Sequence, residues 1–285
     1  MAGITKISRR KKHIAITGSQ SGMGLAFRFL LEQSGYDVIG IDLPGKGAEV
    51  ERDLSNIRER GRIVREIIHK SNGKLDGMIA NTDVDNSNVR LVFELNYFGV
   101  IELLEGLQSS LAASGNSKVI IAASNSVVIT PSIPETPVDD LLDGNLEAAI
   151  SSLGEAQRVA YQVSKLALVR WMRSHAAKAR WAGGGITMNA IAPGTVLTPL
   201  LEKDLSDPEK GPIIQALPRP LSEFAKPEDI AGLVKFLISE DAKFIVGQLI
   251  VIDGCMEATW REKDWPAVWN IPVDEFMRKL TPVGK

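Results

Sequence analysis

The chain has 285 residues, of which 44% are hydrophobic and 24% charged, a composition that is ordinary for a globular protein. Its formal net charge of −2 gives no bulk attraction to nucleic acid or to an anionic membrane surface, so neither is expected as a partner. The one cysteine, Cys255, cannot form an internal disulfide, which fits a reducing cytoplasm. No apolar stretch approaches the roughly 20 residues of a membrane span. The three histidines are scattered, and no metal site is expected.

Strand-like and helix-like segments alternate along the chain. Short apolar runs predict buried strands, and apolar residues at helical spacing predict the helices between them. The predicted strands are residues 13–17, 37–41, 78–80, 118–123, 186–192 and 248–252. The predicted helices are residues 23–34, 58–70, 91–107, 157–179 and 227–239.

This alternation predicts an α/β fold, in which a doubly wound parallel sheet carries helices on both faces within a single domain. Right-handed crossovers then place the carboxyl ends of all the strands on one edge of the sheet, where ligands bind. Residues of interest follow strands at that edge: Gly18, Asp42, Asn81, Ser124 and Pro193.

The chain divides into three predicted parts. Residues 1–11 are basic and lack the apolar run of a signal peptide, so a solubilising tail is expected. Residues 12–255 hold all the predicted strands, and a proline-interrupted apolar segment at about 197–221 suits a mobile lid. Residues 256–285 are too aromatic for a disordered tail and are expected to pack on the body or on a partner subunit. Their tryptophans are Trp260, Trp265 and Trp269.

A glycine-rich turn joins the first predicted strand to the first predicted helix. Gly18, Gly22 and Gly24 allow the backbone to come close to a pyrophosphate held at the amino end of that helix. Glycines in this context, with an acidic residue at the end of the next strand, predict a dinucleotide site. The other residues of the turn that we assign to this site are Gln20, Ser21 and Met23.

That acidic residue is Asp42, which lies 18 residues after Gly24, close to the roughly 20 expected of a carboxylate that binds a cofactor ribose. Its charge would repel a 2′-phosphate, so NAD(H) is predicted over NADP(H); a solvated loop acid is the alternative. Asp53 either accepts a hydrogen bond from the adenine amino group or is an exposed surface acid. The neighbouring Leu43 and Leu54 are assigned to the same site.

Tyr161 and Lys165 place a phenol and an ammonium four residues apart, on one face of a predicted helix. A nearby cation stabilises phenolate, so the pKa of Tyr161 is expected to fall from its reference of about 10 toward working pH. A tyrosine tuned in this way can give or take the proton of an alcohol or ketone. Taken alone, the pair is also what chance places on many helices.

Together these motifs resemble the short-chain dehydrogenase/reductase family, over a match that runs from about Lys12 to Gly254. Residues 17–24 match the cofactor turn of that family, and Tyr161 and Lys165 match its Tyr-x-x-x-Lys motif. The resemblance implies a Rossmann-type fold and reversible oxidation of a secondary alcohol to a ketone with NAD.

Further residues take roles from the same resemblance. Ser124 aligns with the catalytic serine of the family, and Asn96 with the helix asparagine that completes its catalytic tetrad. Asn81 aligns with part of the motif that follows the fourth strand. Residues 192–198 are similar to the family's loop at the nicotinamide, and this similarity assigns four residues to cofactor binding: Pro193, Gly194, Val196 and Thr198.

The implied mechanism gives each catalytic residue one task. Tyr161 would be the general acid and base, and Lys165 would lower its pKa and hold the nicotinamide ribose. Ser124 would bond the substrate oxygen and stabilise the charge that develops there. Asn96 would hold a water molecule that links Lys165 to solvent.

Within the family, the chain is most similar to bacterial 3α-hydroxysteroid dehydrogenase/carbonyl reductases and, nearly as well, to coniferyl-alcohol dehydrogenases. The long stretch between Ser124 and Tyr161 is part of this similarity. In the steroid enzymes such an insertion alters subunit packing, so both a homodimer and a homotetramer are open.

The apolar lid favours a bulky apolar or ring-bearing alcohol or ketone as the small-molecule substrate. An aryl alcohol dehydrogenase and a natural-product ketoreductase remain alternatives. Two further alternatives are not enzymes: a regulatory protein that senses NAD without turnover, and a structural subunit that lends only its interface.

Two residues depart from the family's pattern. Asp83 stands where the family has a glycine that lets the backbone lie close to the cofactor, which puts cofactor affinity in question. Asp tolerates left-handed backbone geometry, so the loop is still expected to form. Cys255 stands where a second glycine is usual, and we expect it to be a small buried residue rather than a reactive thiol.

Overall fold

The computed structural model describes residues 10–265, 267, 270–272, 274–275 and 278, so most of the predicted basic tail and Trp269 lie outside the described residues. Seven parallel strands form one sheet in the spatial order β3-β2-β1-β4-β5-β6-β7. The strands are β1 (His13–Thr17), β2 (Asp37–Asp42), β3 (Val50–Glu51), β4 (Gly77–Ala80), β5 (Ser117–Ala122), β6 (Ile186–Pro193) and β7 (Leu249–Ile252).

Helices connect the strands and cover both faces of the sheet. The first group is α1 (Gly22–Gln33), α2 (Ile57–Lys70), α3 (Val89–Phe93), α4 (Val100–Ala112), α5 (Ser126–Ile129) and α6 (Glu135–Leu142). The second group is α7 (Leu146–Leu153), α8 (Ala160–Ala176), α9 (Pro199–Leu205), α10 (Lys210–Ala216), α11 (Pro227–Ile238) and α12 (Met256–Arg261). No helix in this part of the chain has the length and apolar composition that crossing a bilayer requires.

The order of the strands reverses at β1, which pairs with β2 on one side and with β4 on the other. The chain therefore leaves the carboxyl ends of β1 and β4 in opposite directions, and a crevice opens between the two connections. The glycine turn follows β1 and the Asp83 loop follows β4, so the topology brings them together at this crevice.

Two hydrophobic cores lie on the two faces of the sheet. Along β1, Ile14 and Ile16 face one core, which includes Phe27 of α1 and Val234 of α11. Ala15 faces the other and larger core. Successive side chains of a strand point to opposite faces, and both sides here are covered, so the strands read as continuous apolar runs.

The structure confirms the parallel sheet, the helices on both faces and the single domain. Each of the six predicted strands is present within two residues of its predicted bounds. The two-residue strand β3 was missed because it is too short to carry a period. The predicted helix over 91–107 is present as one continuous helical stretch. It is not α-helical throughout, since the π-helical segment Glu94–Gly99 separates α3 from α4.

Candidate active site

The turn between β1 and α1 has the backbone geometry that its glycines predict. Gly18 and Gly22 have φ values of +64° and +49°, in the left-handed region that favours glycine. A Cβ at Gly24 would lie 1.9 Å from the carbonyl oxygen of Gly18, so the turn closes only without a side chain there. Ser21 precedes α1 and makes no capping hydrogen bond through its side chain. The first-turn amides of α1 therefore have no side-chain acceptor from Ser21 and are available to an anion.

A cleft of about 560 Å³ opens beside this turn, at the crevice between β1 and β4, and we call it the central cleft. Ten of the residues predicted to bind a cofactor line it: Gly18, Ser21, Gly22, Met23, Asp42, Leu43, Asp53, Leu54, Asn81 and Thr198. Nine others that line it were not predicted as cofactor-binding: Ile41, Arg52, Ser55, Thr82, Asp83, Val84, Leu91, Leu95 and Pro199.

Asp42 stands at the end of β2 and also stabilises the turn. One carboxylate oxygen accepts a hydrogen bond from the backbone N–H of Gln20 at 2.9 Å, and the other accepts one from Leu43, also at 2.9 Å. Each oxygen keeps a second lone pair for a ligand hydroxyl. Gln20 itself does not line the central cleft, and it contributes through this backbone contact.

The wall of the central cleft beyond Asp42 carries an acidic side chain, Asp53, and a basic side chain, Arg52. One oxygen of Asp53 accepts hydrogen bonds from the backbone N–H and the hydroxyl of Ser55, at 2.9 and 2.7 Å. Arg52 lies beside it, with its guanidinium paired to Glu59 and Glu66, each at 2.5 Å. Sequence reasoning did not identify Arg52, although an arginine near a ribose site is a signal for phosphate contacts.

Thr17 and Asn81 join the β1 and β4 sides of the central cleft. The Thr17 hydroxyl oxygen accepts hydrogen bonds from the backbone N–H groups of Asn81 and Thr82, at 2.9 and 3.0 Å. The Oδ1 atom of Asn81 is buried and has no hydrogen-bond partner within the protein. A buried polar atom without a partner is costly, so this oxygen is suited to a ligand donor.

Three predicted cofactor residues at the end of β6 and just after it do not line the central cleft. Pro193 ends β6, and its carbonyl accepts a hydrogen bond from the backbone of Asn125. A Cβ at Gly194 would lie 2.6 Å from the Cβ of Asp253, so glycine is needed for this close packing. Val196 is 7% exposed and belongs to the core. These residues set the path of the chain toward Thr198, which does reach the cleft.

Asn96 lies within the π-helical segment and is fully buried. Its amide accepts a hydrogen bond from the backbone N–H of Val84 and donates one to the Val84 carbonyl, both at 2.9 Å. It also donates to the Ser164 hydroxyl of α8 at 3.2 Å. Asn96 thus fixes the loop that follows β4 against the helix that carries Tyr161 and Lys165.

Three residues of the predicted tetrad, Ser124, Tyr161 and Lys165, lie together between the end of β5 and α8, whereas Asn96 bonds Val84 and Ser164 instead. The Ser124 hydroxyl lies close enough to the phenol of Tyr161 to lower the pKa of that phenol. The Lys165 Nζ atom lies 5.5 Å from the centre of the Tyr161 ring and donates to the Ala122 carbonyl at 2.8 Å. Asp83 joins these three, because its Oδ2 atom accepts a hydrogen bond from the Tyr161 phenol at 3.0 Å.

The same Asp83 oxygen forms an ion pair with Lys165 Nζ at 2.7 Å. The expectation that the pKa of Tyr161 falls toward working pH is wrong for this structure. Burial raises the pKa of Tyr161 well above its ordinary value, and the charge and hydrogen bond of Asp83 raise it further, while the Ser124 hydroxyl lowers it. In this state the phenol is held as a proton donor.

Cys255 also corrects an expectation, since it is exposed rather than buried. It precedes α12 with a φ of +78°, in the left-handed region where a second glycine would be unstrained. Its backbone N–H donates to Asp253 at 3.1 Å. A turn of this shape directs the side chain outward. The spacing of apolar residues along the sequence gives no indication of this exposure.

Helices α9 and α10 form most of the segment predicted as a lid. The Lys210 ammonium of α10 lies 3.3 Å from Asp85 in the loop after β4 and 3.4 Å from Asp204 of α9. This contact links the segment to the loop that carries Asp83. Three of its apolar side chains are exposed: Leu197, Ile213 and Leu221.

Comparison with known proteins decides the family. The chain is 31% identical to the 3-alpha-hydroxysteroid dehydrogenase/carbonyl reductase of Comamonas testosteroni over 255 residues, which span 87% of this chain and 97% of that protein. The chain belongs to the short-chain dehydrogenase/reductase family. Within this family, a model described as enoyl-(acyl carrier protein) reductase matches residues 145–257.

Two further relatives cover nearly the same part of the chain. The 3-oxoacyl-(acyl-carrier-protein) reductase of Thermotoga maritima is 27% identical and covers 84% of this chain, with 95% of its own length matched. The crystal structure of the 3-alpha-hydroxysteroid dehydrogenase from Pseudomonas sp. B-0831, complexed with NADH, superposes with a TM-score of 0.81. It is 36% identical and covers 88% of this chain and 99% of its own.

Proposed function

We propose that this short-chain dehydrogenase/reductase interconverts a secondary alcohol and a ketone on a bulky apolar or ring-bearing, hydroxysteroid-like substrate, with NAD as cofactor. The observation that carries the proposal is the position of the Tyr161 phenol, beside the Lys165 ammonium and bonded to Asp83, which lines the central cleft. The similarity to the hydroxysteroid dehydrogenases supports the choice of substrate class.

The central cleft fits a dinucleotide on its own geometry. Gly18 and Gly22 leave room at the amino end of α1, where amides without a capping side chain suit a pyrophosphate. Asn81 Oδ1 lacks a partner and is suited to a donor on the ligand. Asp42 would accept the ribose hydroxyls, and Thr198 would contact the cofactor from the lid side. When bound, NAD supplies the hydride acceptor, and its reduced form supplies the hydride.

The protein's own groups move the proton. In ketone reduction, the Tyr161 phenol would donate its proton to the carbonyl oxygen, and the Ser124 hydroxyl would stabilise the charge that develops there. In alcohol oxidation, the phenol oxygen would take the hydroxyl proton. Lys165 would stabilise the phenolate form once its ammonium is no longer neutralised by Asp83.

The segment at about 197–221 supports an apolar substrate. It presents Leu197, Ile213 and Leu221, which are 37%, 67% and 72% exposed. Exposed apolar side chains on the segment whose Thr198 lines the central cleft are suited to a ring-bearing molecule more than to a free sugar. An aryl or coniferyl-type alcohol would use the same surface, so the substrate panel has to include both classes.

One observation favours a second candidate, a regulatory protein that binds NAD without turnover. Asp83 neutralises Lys165 and holds the Tyr161 proton, which is not the arrangement of a base ready to act. The enzyme would reduce a ketone with NADH and the regulatory protein would not, whereas both would bind the cofactor.

The test is a panel of ketosteroids, aryl ketones and cyclohexanones with NADH and with NADPH, followed by loss of reduced cofactor, with binding measured in parallel by calorimetry. Turnover of a ring-bearing ketone with NADH supports the enzyme. Tight NADH binding with no turnover across the panel would support the sensor and overturn the enzyme. Turnover confined to NADPH would overturn the cofactor assignment alone.

We propose a homodimer or homotetramer as the assembly and the cytoplasm as the compartment. Strand β7 is an edge of the sheet, and its four side chains are only half-buried. Phe244 lies between α11 and β7, five residues before that edge strand begins, and it is 98% exposed. An unpaired strand edge next to an exposed aromatic ring is suited to pairing with a second copy of the chain.

A further inference from the structure

A single carboxylate oxygen links the two residues on which the proposed chemistry depends. Oδ2 of Asp83 lies 3.0 Å from the Tyr161 phenol oxygen and 2.7 Å from Lys165 Nζ. The Lys165 side chain is 2% exposed, and its ammonium also donates to the Ala122 carbonyl. Two of the three ammonium protons are therefore used within the protein.

Hydrogen bonds fix the backbone both before and after Asp83. Before it, the backbone N–H groups of Asn81 and Thr82 donate to Thr17. After it, Asn96 bonds both the N–H and the carbonyl of Val84. Asp83 itself lies outside the left-handed region, so the loop does not need a glycine at this position. The backbone on either side is held in place while the Asp83 side chain reaches the Tyr161–Lys165 pair.

Asp83 also lines the central cleft, and its side chain is 24% exposed there. Lys165 does not line the cleft, whereas Asp83, which pairs with its ammonium, does. A ribose hydroxyl that approaches the ammonium from the cleft meets Asp83 first.

The charges that face Tyr161 come from two elements, and a third element partly neutralises one of them. Asp83 and Asp85 face it from the loop after β4, and Lys165 faces it from α8. The charge of Asp85 is partly neutralised by Lys210 of α10, at 3.3 Å. Burial, then Asp83, raise the pKa of Tyr161, and Asp85 makes a smaller contribution in the same direction.

We propose that Asp83 is a positioning residue that locks the Tyr161–Lys165 pair in the cofactor-free protein, and that a dinucleotide opens the lock by taking the Lys165 ammonium from Asp83. The opening step rests on the proposed function, whereas the lock does not. Once Asp83 leaves, the phenol remains beside an unneutralised ammonium, and its ionisation becomes easier. Cofactor binding would thereby prepare Tyr161 to act as a base.

The coupling between dinucleotide binding and the ionisation of Tyr161 has a defined sign. If the dinucleotide lowers the pKa of Tyr161, the phenolate form binds the dinucleotide more tightly than the phenol form, because linkage is reciprocal. Affinity then rises with pH between the pKa of the bound state and the higher pKa of the free state. A purely structural Asp83 would produce no such dependence.

The chain has three tyrosines, so near-ultraviolet absorbance can follow the ionisation of Tyr161 directly. The difference between the wild type and Tyr161→Phe removes the signals of the other two. We compare Asp83→Asn, which keeps the size of the side chain and removes its charge, with Asp85→Asn as the matched control. Each is titrated with and without ADP-ribose, which has both riboses but no redox centre, within the pH range where circular dichroism is unchanged.

We expect the tyrosinate fraction of Tyr161 at a given pH to rise about tenfold or more in Asp83→Asn, and to change much less in Asp85→Asn. ADP-ribose should move the wild type toward Asp83→Asn and leave that variant nearly unchanged. Calorimetry should show tighter ADP-ribose binding by Asp83→Asn than by the wild type.

Several results would overturn the proposal. Coincident titrations of wild type and Asp83→Asn would refute the lock, and Asp83→Ser serves the same comparison if the asparagine variant does not fold. Bound ADP-ribose that leaves Tyr161 unchanged would refute the opening step while leaving the cofactor assignment intact. Failure of ADP-ribose and NAD to bind any variant would refute both the opening step and the cofactor, and the cofactor-free titration would then decide the lock alone.

Discussion

At the scale of single residues, the character of the site depends on what neutralises the Lys165 ammonium. A lysine on the same helix face as a tyrosine favours phenolate only while its charge is not compensated. Here Asp83 compensates it at 2.7 Å and also accepts the phenol proton. The chemistry expected of the Tyr161–Lys165 pair is therefore suspended in the cofactor-free protein.

The same contact predicts the pH dependence of alcohol oxidation. The profile of kcat/KM for NAD reports the free protein, in which Tyr161 has a raised pKa. A base is active only above its pKa, so this profile should rise at a lower pH in Asp83→Asn than in the wild type. Steady-state rates at fixed, saturating alcohol across the pH range give the comparison. Superimposed rises in the two proteins would contradict the role given to Asp83.

Asp42 carries the prediction for cofactor choice. Asp42→Asn keeps an oxygen that can accept the Gln20 hydrogen bond and removes the charge that would repel a 2′-phosphate. We expect the ratio of NADPH to NADH affinity to rise at least about tenfold, since placing like charges together costs several kcal/mol. Titration calorimetry with both cofactors measures the ratio. An unchanged ratio would indicate that Arg52 or another residue sets the preference.

Sequence reasoning located most of these residues but not their interaction. The order of motifs identified Tyr161, Lys165, Ser124 and Asp42, because each follows a strand end or repeats at helical spacing. The departure at Asp83 was visible in the sequence as a side chain in place of a glycine. Its reach to Lys165 depends on the path of a loop in three dimensions, for which spacing along the chain gives no measure.

At the scale of elements, the π-helical segment Glu94–Gly99 is the feature that periodicity could not predict. It interrupts a continuous helix at Asn96, whose amide fixes the loop carrying Asp83. Such single-turn widenings often occur at functional sites. Arg60 of α2 supports this segment, with its guanidinium bonded to the carbonyl and the carboxylate of Glu94 at 2.8 and 2.5 Å.

Arg60 predicts a large effect on stability. Its side chain is 3% exposed and also pairs with Glu102, so Arg60→Met would leave partly buried carboxylates without their cation. We expect a loss of about 3–5 kcal/mol in the free energy of unfolding. Arg62→Met is the control, since Arg62 is 57% exposed and its pair with Glu59 contributes about 0–1 kcal/mol. Urea denaturation of the wild type, Arg60→Met and Arg62→Met measures the loss of unfolding free energy in each variant. Equal losses in the two variants would contradict the prediction.

The insertion between β5 and α8 was recognised by its length but not by its structure. It contains α5, α6 and α7, and Val138, Leu141 and Leu153 from it are buried in the larger core. These helices have four to eight residues, too few to show the period of a helix in a sequence window. The two longer ones are stabilised by tertiary packing, since α6 packs on α8 and α7 packs on α6 and α3.

At the scale of the whole molecule, the reversal of strand order at β1 positions the site. It brings the glycine turn after β1 and the Asp83 loop after β4 to the two sides of the central cleft. The alternation of apolar runs and helical periods predicted this sheet correctly, because burial on both faces leaves a strong signal in each strand. The edge at β7 carries less signal, and the role that we propose for it depends on a second copy of the chain.

The edge strand β7 and the exposed Phe244 lead to a prediction for the oligomeric state. We expect light scattering after size exclusion to give the mass of a dimer or tetramer, and Phe244→Asp to lower that mass, because a carboxylate cannot be buried in an apolar contact without cost. Ile57→Asp is the control, since Ile57 is 62% exposed at the start of α2, which packs on β2 and β3 at the opposite end of the sheet. A monomeric wild type would contradict the proposed assembly.

Single-turnover hydride transfer by Tyr161→Phe tests the proposed function most directly. With NADH binding confirmed by calorimetry and a ketone that the wild type reduces, we expect the rate of hydride transfer to fall about 10²–10⁴-fold, since the variant keeps the ring and lacks the proton donor. Retention of most of the wild-type rate, with NADH bound, would contradict the assignment of Tyr161 as the general acid.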